Sequence, residues 1–392
     1  MENPPALPGQ KRTRVAIVIN CPAPYRNPVF EVMARDPAIE LHVIFCSALE
    51  PIRQWDIASS EFSHEYLTEH FTMLHDKVVH INPDVWSALR RFKPDVVITT
   101  GFNPTYLFAY LYCRLHKIHH VPWTDGTAIS ETTLTRVHKW LRRHIYPRSS
   151  TFVGASNGST ELYRLYGIPE ELIFKARLCA NNEIFFAAPP VEKQYDFIFS
   201  GRFAEVKNPL FALEVVSAVS RRLGRRASIA FIGAGALEAE MRSTAAAKDV
   251  DAHFLGFARQ ADLPTRYAAA KILLFPTLWD PWGIVANEAC AARVPVMVTP
   301  VAGVAGELIM DQINGYVLPL DVTAWAEAAT HLLQDAALYE RFAAAARQEI
   351  AAYTYDSAAG EILRAIQRAA RAWTQEGLGD TLPAAQPNNR GI

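Results

Sequence analysis

Short, almost uninterrupted apolar runs recur along this chain, each followed by a polar loop and then a segment of helical length, and this alternation constrains the fold more than any other feature. Arg14-Val-Ala-Ile-Val-Ile-Asn20 is the first such run. A strand that reads apolar on both faces is buried on both, as happens inside a parallel sheet covered by helices. Further strands are expected at 41–46, 95–100, 121–124, 151–155 and 172–177, with helices from Pro28, over 83–92 and over 104–115. Around Ala187-Ala-Pro-Pro190 the pattern breaks, and it restarts with expected strands at 195–200, 228–232, 253–255, 272–275 and 294–299. Strands alternating with helices build βαβ units, so the chain reads as α/β with two doubly wound, Rossmann-like sheets. Helices are expected from 323 to 351 and from 356 to 373. The expected divisions are a flexible leader at 1–13, a first domain at 14–187, a second at 188–352, a C-terminal helix at 353–373 and a disordered tail at 374–392.

Bulk properties agree with two ordinary enzyme domains. A length of 392 residues exceeds what one core usually supports. Half the residues are apolar, 20% are charged and the formal net charge is -1, which excludes a disordered chain and argues against nucleic acid as a partner. Cys21, Cys46, Cys113, Cys179 and Cys290 are odd in number and far apart, as reduced core thiols of a cytoplasmic protein would be. Neither a signal-peptide core nor a run of 18 apolar residues is visible, so membrane spanning and Sec export are not expected.

Two open α/β sheets facing each other make a cleft, and ligands of such sheets bind beyond the carboxyl ends of the strands. Three loops there carry candidate chemistry. Ser200-Gly-Arg-Phe-Ala-Glu-Val-Lys-Asn208 places Gly201 at a strand end, where backbone can approach a ligand closely. Its Arg202 and Lys207 supply two cations ahead of a helix N-terminus, a setting suited to a diphosphate or, otherwise, to solvated surface charge. Phe231-Ile-Gly-Ala-Gly235 has Gly233 and Gly235 in a strand–turn–helix setting that is either a nucleotide loop or a tight turn alone. Leu255, in Phe254-Leu-Gly-Phe257, is a similar strand-end candidate for bordering a base.

The third loop, Asp280-Pro-Trp-Gly-Ile-Val-Ala-Asn-Glu288, starts a helix at Pro281, so that Trp282, Gly283 and Ile284 are expected to present free N–H groups to an anion. Glu288, one turn on, is a carboxylate in an apolar helix and needs a partner, which two ribose hydroxyls would provide. Asp280 reads either as a helix cap or as an acceptor for hydroxyls of a bound sugar.

Taken together, Ser200-Gly-Arg202, Lys207-Asn208, Asp280 to Glu288, Val294-Pro-Val296 and Asn314-Gly-Tyr316 resemble the C-terminal domain of the retaining GT-B glycosyltransferases of family four, over roughly 195–352. Pro22 to Pro28 and Thr151-Phe-Val-Gly-Ala-Ser156 extend a weaker likeness into the first half. The resemblance implies a GT-B fold, two Rossmann-like domains facing a central cleft, with the donor on the second domain and the acceptor on the first. It also implies that Arg202 and Lys207 neutralise the donor diphosphate and that Glu288 holds the ribose. The family carries two glutamates separated by seven residues, and Asp280 stands at the first, with the charge kept and one methylene fewer.

The expected reaction is metal-independent transfer of a hexose, with retention implied by the resemblance, from a UDP- or GDP-linked donor to a glycan, lipid-linked or other acceptor. Arg202, Lys207 and the helix N-terminus near Gly283 would stabilise the leaving diphosphate. No Asp-x-Asp pair follows an expected strand, and no cofactor is expected. Asp125, in Trp123-Thr-Asp-Gly126, is either a turn residue or a contact to the donor sugar or acceptor. Tyr25 and Arg26, in the loop after the first strand, are acceptor candidates. Residues 136–148 hold five Lys/Arg with two histidines and two large aromatics, which describes a solvated surface helix or a peripheral contact with the inner face of a membrane. The other histidines carry no metal spacing and read as surface or cleft residues. Alternative readings are a nucleotide-sugar epimerase of the same fold and an inactive binding subunit.

Overall fold

The first apolar run is β1 (Thr13–Ile19), whose residues Val15 to Val18 are fully buried. After it come α1 (Asn27–Ala34), β2 (Ile39–Phe45), β3 (His64–Tyr66), β4 (Phe71–Leu74), β5 (Lys77–His80), α2 (Val85–Phe92), β6 (Val96–Thr99), α3 (Pro104–His116), β7 (His119–Thr124), α4 (Ala128–Thr133), α5 (Arg136–Ile145), β8 (Phe152–Gly154), α6 (Asn157–Leu165) and β9 (Ile173–Lys175). Seven strands form one parallel sheet in the order β3-β2-β1-β6-β7-β8-β9, and β4 pairs with β5 as a separate antiparallel hairpin. The hairpin escapes periodicity analysis because its strands are four residues long and β4 is exposed throughout.

A second set follows: α7 (Asn182–Phe186), β10 (Tyr195–Ser200), α8 (Pro209–Leu223), β11 (Ser228–Ile232), α9 (Glu238–Ala247), β12 (Asp251–Gly256), α10 (Leu263–Ala268), β13 (Ala270–Phe275), α11 (Ile284–Ala291), β14 (Val296–Val298), β15 (Gly315–Val317), α12 (Val322–Gln334) and α13 (Ala336–Ile350). Its six strands are all parallel, in the order β12-β11-β10-β13-β14-β15. That order reverses direction between β10 and β13, the crevice where doubly wound sheets bind ligands. Phe197, Phe199 and Phe231 of the sheet pack with Leu213, Val216 and Trp325 of α8 and α12. Each such side chain contributes on the order of 1.5–3 kcal/mol by leaving water. The expected helical stretch from 323 to 351 breaks at Asp335, which ends α12 and caps α13 by accepting from the Leu338 N–H at 2.9 Å.

The computed structural model describes residues 11–51, 55, 60–74 and 77–375; most of the expected leader and the tail beyond 375 lie outside the described residues. Two units emerge, one of Leu178–Thr354 and one holding everything up to Arg177 together with the chain from Tyr355 onward. The last helix, α14 (Tyr355–Gln375), thus belongs with the first sheet: Ile362, Ile366 and Ala369 are fully buried, and Thr151 Oγ1 donates to the Ala365 carbonyl at 3.0 Å. The division precedes the Ala-Pro stretch because α7 is tied to the second unit. Asn182 Nδ2 donates to the carbonyls of Ile350 and Tyr353 at 3.0 and 2.8 Å. Among the described residues no helix is long and apolar enough to cross a membrane, and all five cysteines are buried thiols.

Candidate functional site

In the second unit the loops after β10, β11 and β12 are laced together by backbone. Gly201 N–H donates to Ile232 O at 2.9 Å, Phe203 N–H to Ala234 O at 3.0 Å and Gly233 N–H to Gly256 O at 2.9 Å. A side chain on Gly233 would stand 2.0 Å from the Gly201 carbonyl, and one on Gly235 2.4 Å from that of Phe203. Loop-on-loop packing therefore requires glycine at both positions. Gly201 differs: its φ is 142° and the space where a side chain would stand is open. Leu255 is half-buried, and its carbonyl takes a bond from Arg266 Nη1 at 3.4 Å.

The two expected cations are not equivalent. Arg202 is exposed and makes no ion pair among the described residues. Lys207, half-buried on a single helical turn (Glu205–Lys207), lies 2.5 Å from Asp280 Oδ2. The other oxygen of Asp280 accepts the Trp282 N–H at 3.1 Å. Asp280 thus caps the turn, one of its two expected roles, and also pairs with Lys207, while the expectation of a free Trp282 N–H is corrected, because that N–H is already taken by Asp280. Trp282 is 1% exposed, its indole donating at 2.8 Å to Asn287 Oδ1, so its side chain belongs to the core. Among the described residues the N–H groups of Gly283 and Ile284 have no acceptor. Gly283 starts α11 at φ 106°, where a side chain would collide with the Phe275 ring at 2.3 Å. What remains at the mouth of β10 and β13 is Arg202, the Lys207–Asp280 pair and two open amides.

Glu288 lies on the buried side of α11 and keeps 7% of its surface. Burial raises its carboxyl to about 7, opposed by a bond from Tyr267, whose hydroxyl donates to Oε2 at 2.7 Å. Tyr267 is itself fully buried. The partner that an apolar helix demanded for this carboxylate is thus in part a tyrosine 21 residues earlier. Tyr267 follows Arg266 and precedes three alanines, and no sequence signal marks it.

In the first unit the strand order reverses between β1 and β6, and a cavity of about 300 Å³ opens at their carboxyl ends. Tyr25, Arg26 and Asp125 all line it, with Trp123 and Phe102 among its aromatic walls. Arg26 is 6% exposed, pairs with Asp125 and stacks 4.1 Å over the Trp123 ring, so the three candidates meet in one place. Sequence reading missed Asn20, Glu50 and His80. Glu50 Oε1 accepts from Asn20 Nδ2 at 2.8 Å and lies 3.1 Å from His80 Nε2. Nδ1 of His80 is buried without a partner. His80 and His120 correct the reading of the histidines as surface or cleft residues: they are 1% and 3% exposed, and burial lowers the His120 ring to about 3. Among the described residues no cluster of His, Cys, Asp or Glu is arranged to hold a metal.

Comparison with known proteins agrees with this geometry. Residues 180–349 match the family of glycosyl transferases group 1. The chain is 24% identical over 273 residues to the alpha-D-kanosaminyltransferase of Streptomyces kanamyceticus, covering 66% of this chain and 70% of that one. It is 25% identical over 299 residues to a glycogen synthase of Mycobacterium tuberculosis, covering 72% and 71%. A glycosyltransferase of Rickettsia africae superposes with a TM-score of 0.69 at 15% identity, over 92% of this chain and 99% of that one. HepE of Anabaena, solved with UDP and glucose, gives 0.68 at 14% identity, over 93% and 100%. The fold is GT-B.

Proposed function

We propose that this chain, a GT-B protein carrying a group 1 glycosyltransferase domain over 180–349, moves a hexose from a nucleoside diphosphate sugar to an acceptor hydroxyl, with retention and without a metal. The observation that carries this reading is the Lys207–Asp280 pair, which brings the loops after β10 and β13 together beside the open amides of Gly283 and Ile284, with exposed Arg202 on the first of those loops. Fixed cations and aligned amides meet the charge that builds on a leaving diphosphate with little reorganisation. Asp280, bonded to Lys207, stands beside the diphosphate position and accepts from a sugar hydroxyl. Glu288 receives the ribose hydroxyls. Retention rests on the family resemblance, and UDP is the first nucleotide to test because HepE binds it.

The acceptor belongs to the cavity of the first unit. Aromatic walls with Asn20, Glu50, Arg26 and Asp125 suit a polyhydroxylated ring, which presents C–H faces and hydroxyls together. On α5, Val137 and Trp140 are 64% and 56% exposed among Arg136, Lys139 and Arg143, while Arg142 turns inward to pair with Glu131. Such a face fits anionic lipid, and it supports a lipid-linked acceptor at the cytoplasmic face of a membrane, in polysaccharide or glycoconjugate synthesis. Retention of Trp140→Ser/Arg143→Ser on phosphatidylglycerol vesicles as full as the wild type's would remove that contact.

The test is UDP release from UDP-hexoses, with and without an acceptor panel. Release that requires acceptor supports transfer. A new nucleotide sugar formed without acceptor identifies an epimerase, and UDP binding with no turnover under any pairing identifies a binding subunit.

A further inference from the structure

Tyr267 has no part in the function described so far, yet it is a fully buried hydroxyl on α10 aimed at a buried carboxylate on α11. A phenol in a core needs a partner, and Glu288 Oε2 at 2.7 Å supplies it. Among the described residues no donor reaches the second oxygen, Oε1, which is not among the enclosed polar atoms. We infer that Tyr267 is a positioning residue: its hydroxyl holds Oε2 of Glu288, locks the carboxylate in one orientation and leaves Oε1 as the oxygen offered to the ribose. The inference rests on the reading of Glu288 as the ribose ligand.

The surroundings make this tyrosine matter. On the elements packed against α11 the charged side chains are otherwise engaged: Arg266 on α10 with Leu255 O, Arg347 on α13 with Ala291 O at 2.5 Å, and Lys271 on β13 with Asp196. Glu183 on α7 and Glu349 on α13 carry the wrong sign to help. No cation therefore offsets the burial of Glu288, and the bond from Tyr267 is what opposes its protonation. A ribose diol donates to an ionised carboxylate, whereas a protonated carboxyl must spend one oxygen as a donor. Nucleotide affinity should therefore weaken as pH falls through about 7. Without the tyrosine that midpoint moves up.

The experiment is calorimetric titration of the full chain with UDP, 2′-deoxy-UDP and 3′-deoxy-UDP from pH 6 to 9, for wild type, Tyr267→Phe and Glu288→Gln. UDP titrates identically in all three, so differences belong to the protein. Expected for Tyr267→Phe is an affinity loss of about fivefold at pH 7 that approaches about tenfold at pH 6 and vanishes towards pH 9, as an upward shift of about one unit requires, with discrimination against the deoxy ligands reduced. Glu288→Gln should lose the pH step altogether. A loss for Tyr267→Phe that is the same at every pH, with discrimination intact, would reduce Tyr267 to packing and overturn the inference. A wild type that binds the deoxy ligands as well as UDP would instead remove Glu288 from the ribose, a failure of the functional reading. Should Tyr267→Phe not fold, 3-fluorotyrosine at 267, a stronger donor of nearly the same shape, must move the midpoint down; no movement again overturns the inference.

Discussion

The two units solve the same geometric problem with different materials. Each is a parallel sheet whose strand order reverses at one point, β1 and β6 in the first and β10 and β13 in the second, and candidate chemistry collects at that point in both. In the second unit the site is made largely of backbone: Gly201, Gly233 and the start of α11 bring amides and carbonyls within bonding distance, and only a few side chains are added. In the first unit it is made of side chains, Asn20, Glu50, Arg26 and Asp125, with buried His80 against Glu50, drawn from positions up to 105 residues apart in numbering. Under the proposed function the difference has a reason: a diphosphate is chemically constant, so one backbone cradle would serve, whereas an acceptor varies in every hydroxyl and side chains would vary with it.

That contrast predicts which variants damage which half of the reaction. Asp280→Asn keeps the cap on Trp282 but removes the charge that holds Lys207, so turnover should fall about 100-fold while UDP affinity changes less than about threefold. A parallel loss of affinity, measured calorimetrically beside the rate, would erase the division between sugar and nucleotide ends. Glu288→Ala should weaken UDP roughly 10–100-fold, the value of one or two hydrogen bonds to a charged group. Equal affinity would contradict a ribose role. Glu50→Gln, in the other unit, should raise acceptor KM about fivefold and leave UDP binding unchanged. Were both constants to shift, the assignment of acceptor to the first unit would be blurred.

A last effect is on stability. Glu288 has its carboxyl raised to about 7 in the fold from an ordinary 4.5, so the fold prefers the protonated form. Its contribution is full below about pH 4.5 and is lost as pH rises through about 7. Thermal unfolding of ligand-free wild type should accordingly lose more stability between pH 5 and 8 than Glu288→Gln does, and identical slopes would show that this carboxyl ionises freely.

Much of the α/β framework could be read before any coordinates, because buried parallel strands must be apolar on both faces and runs such as 14–20 and 195–200 have no other use. The glycines and cations of the second unit were legible for a related reason. A backbone cradle needs small residues at particular distances along the chain, and local spacing is what a sequence displays. Even there the pairings were hidden. Lys207 and Asp280 appeared as two independent ligands until the loops after β10 and β13 were brought side by side. Trp282 looked like part of an anion site, and the fold buries it.

Chain order alone determined that there are two doubly wound units and which strand-end loops carry glycines and cations, since periodicity and turn residues act over a few positions. Only the tertiary structure decided that α14 returns to the first sheet, that Glu50 meets Asn20 and His80, and that Tyr267 holds Glu288. Those contacts join residues tens to hundreds of positions apart. Which buried hydroxyl meets which buried carboxylate depends on how helices settle against a sheet, and no local pattern carries that information.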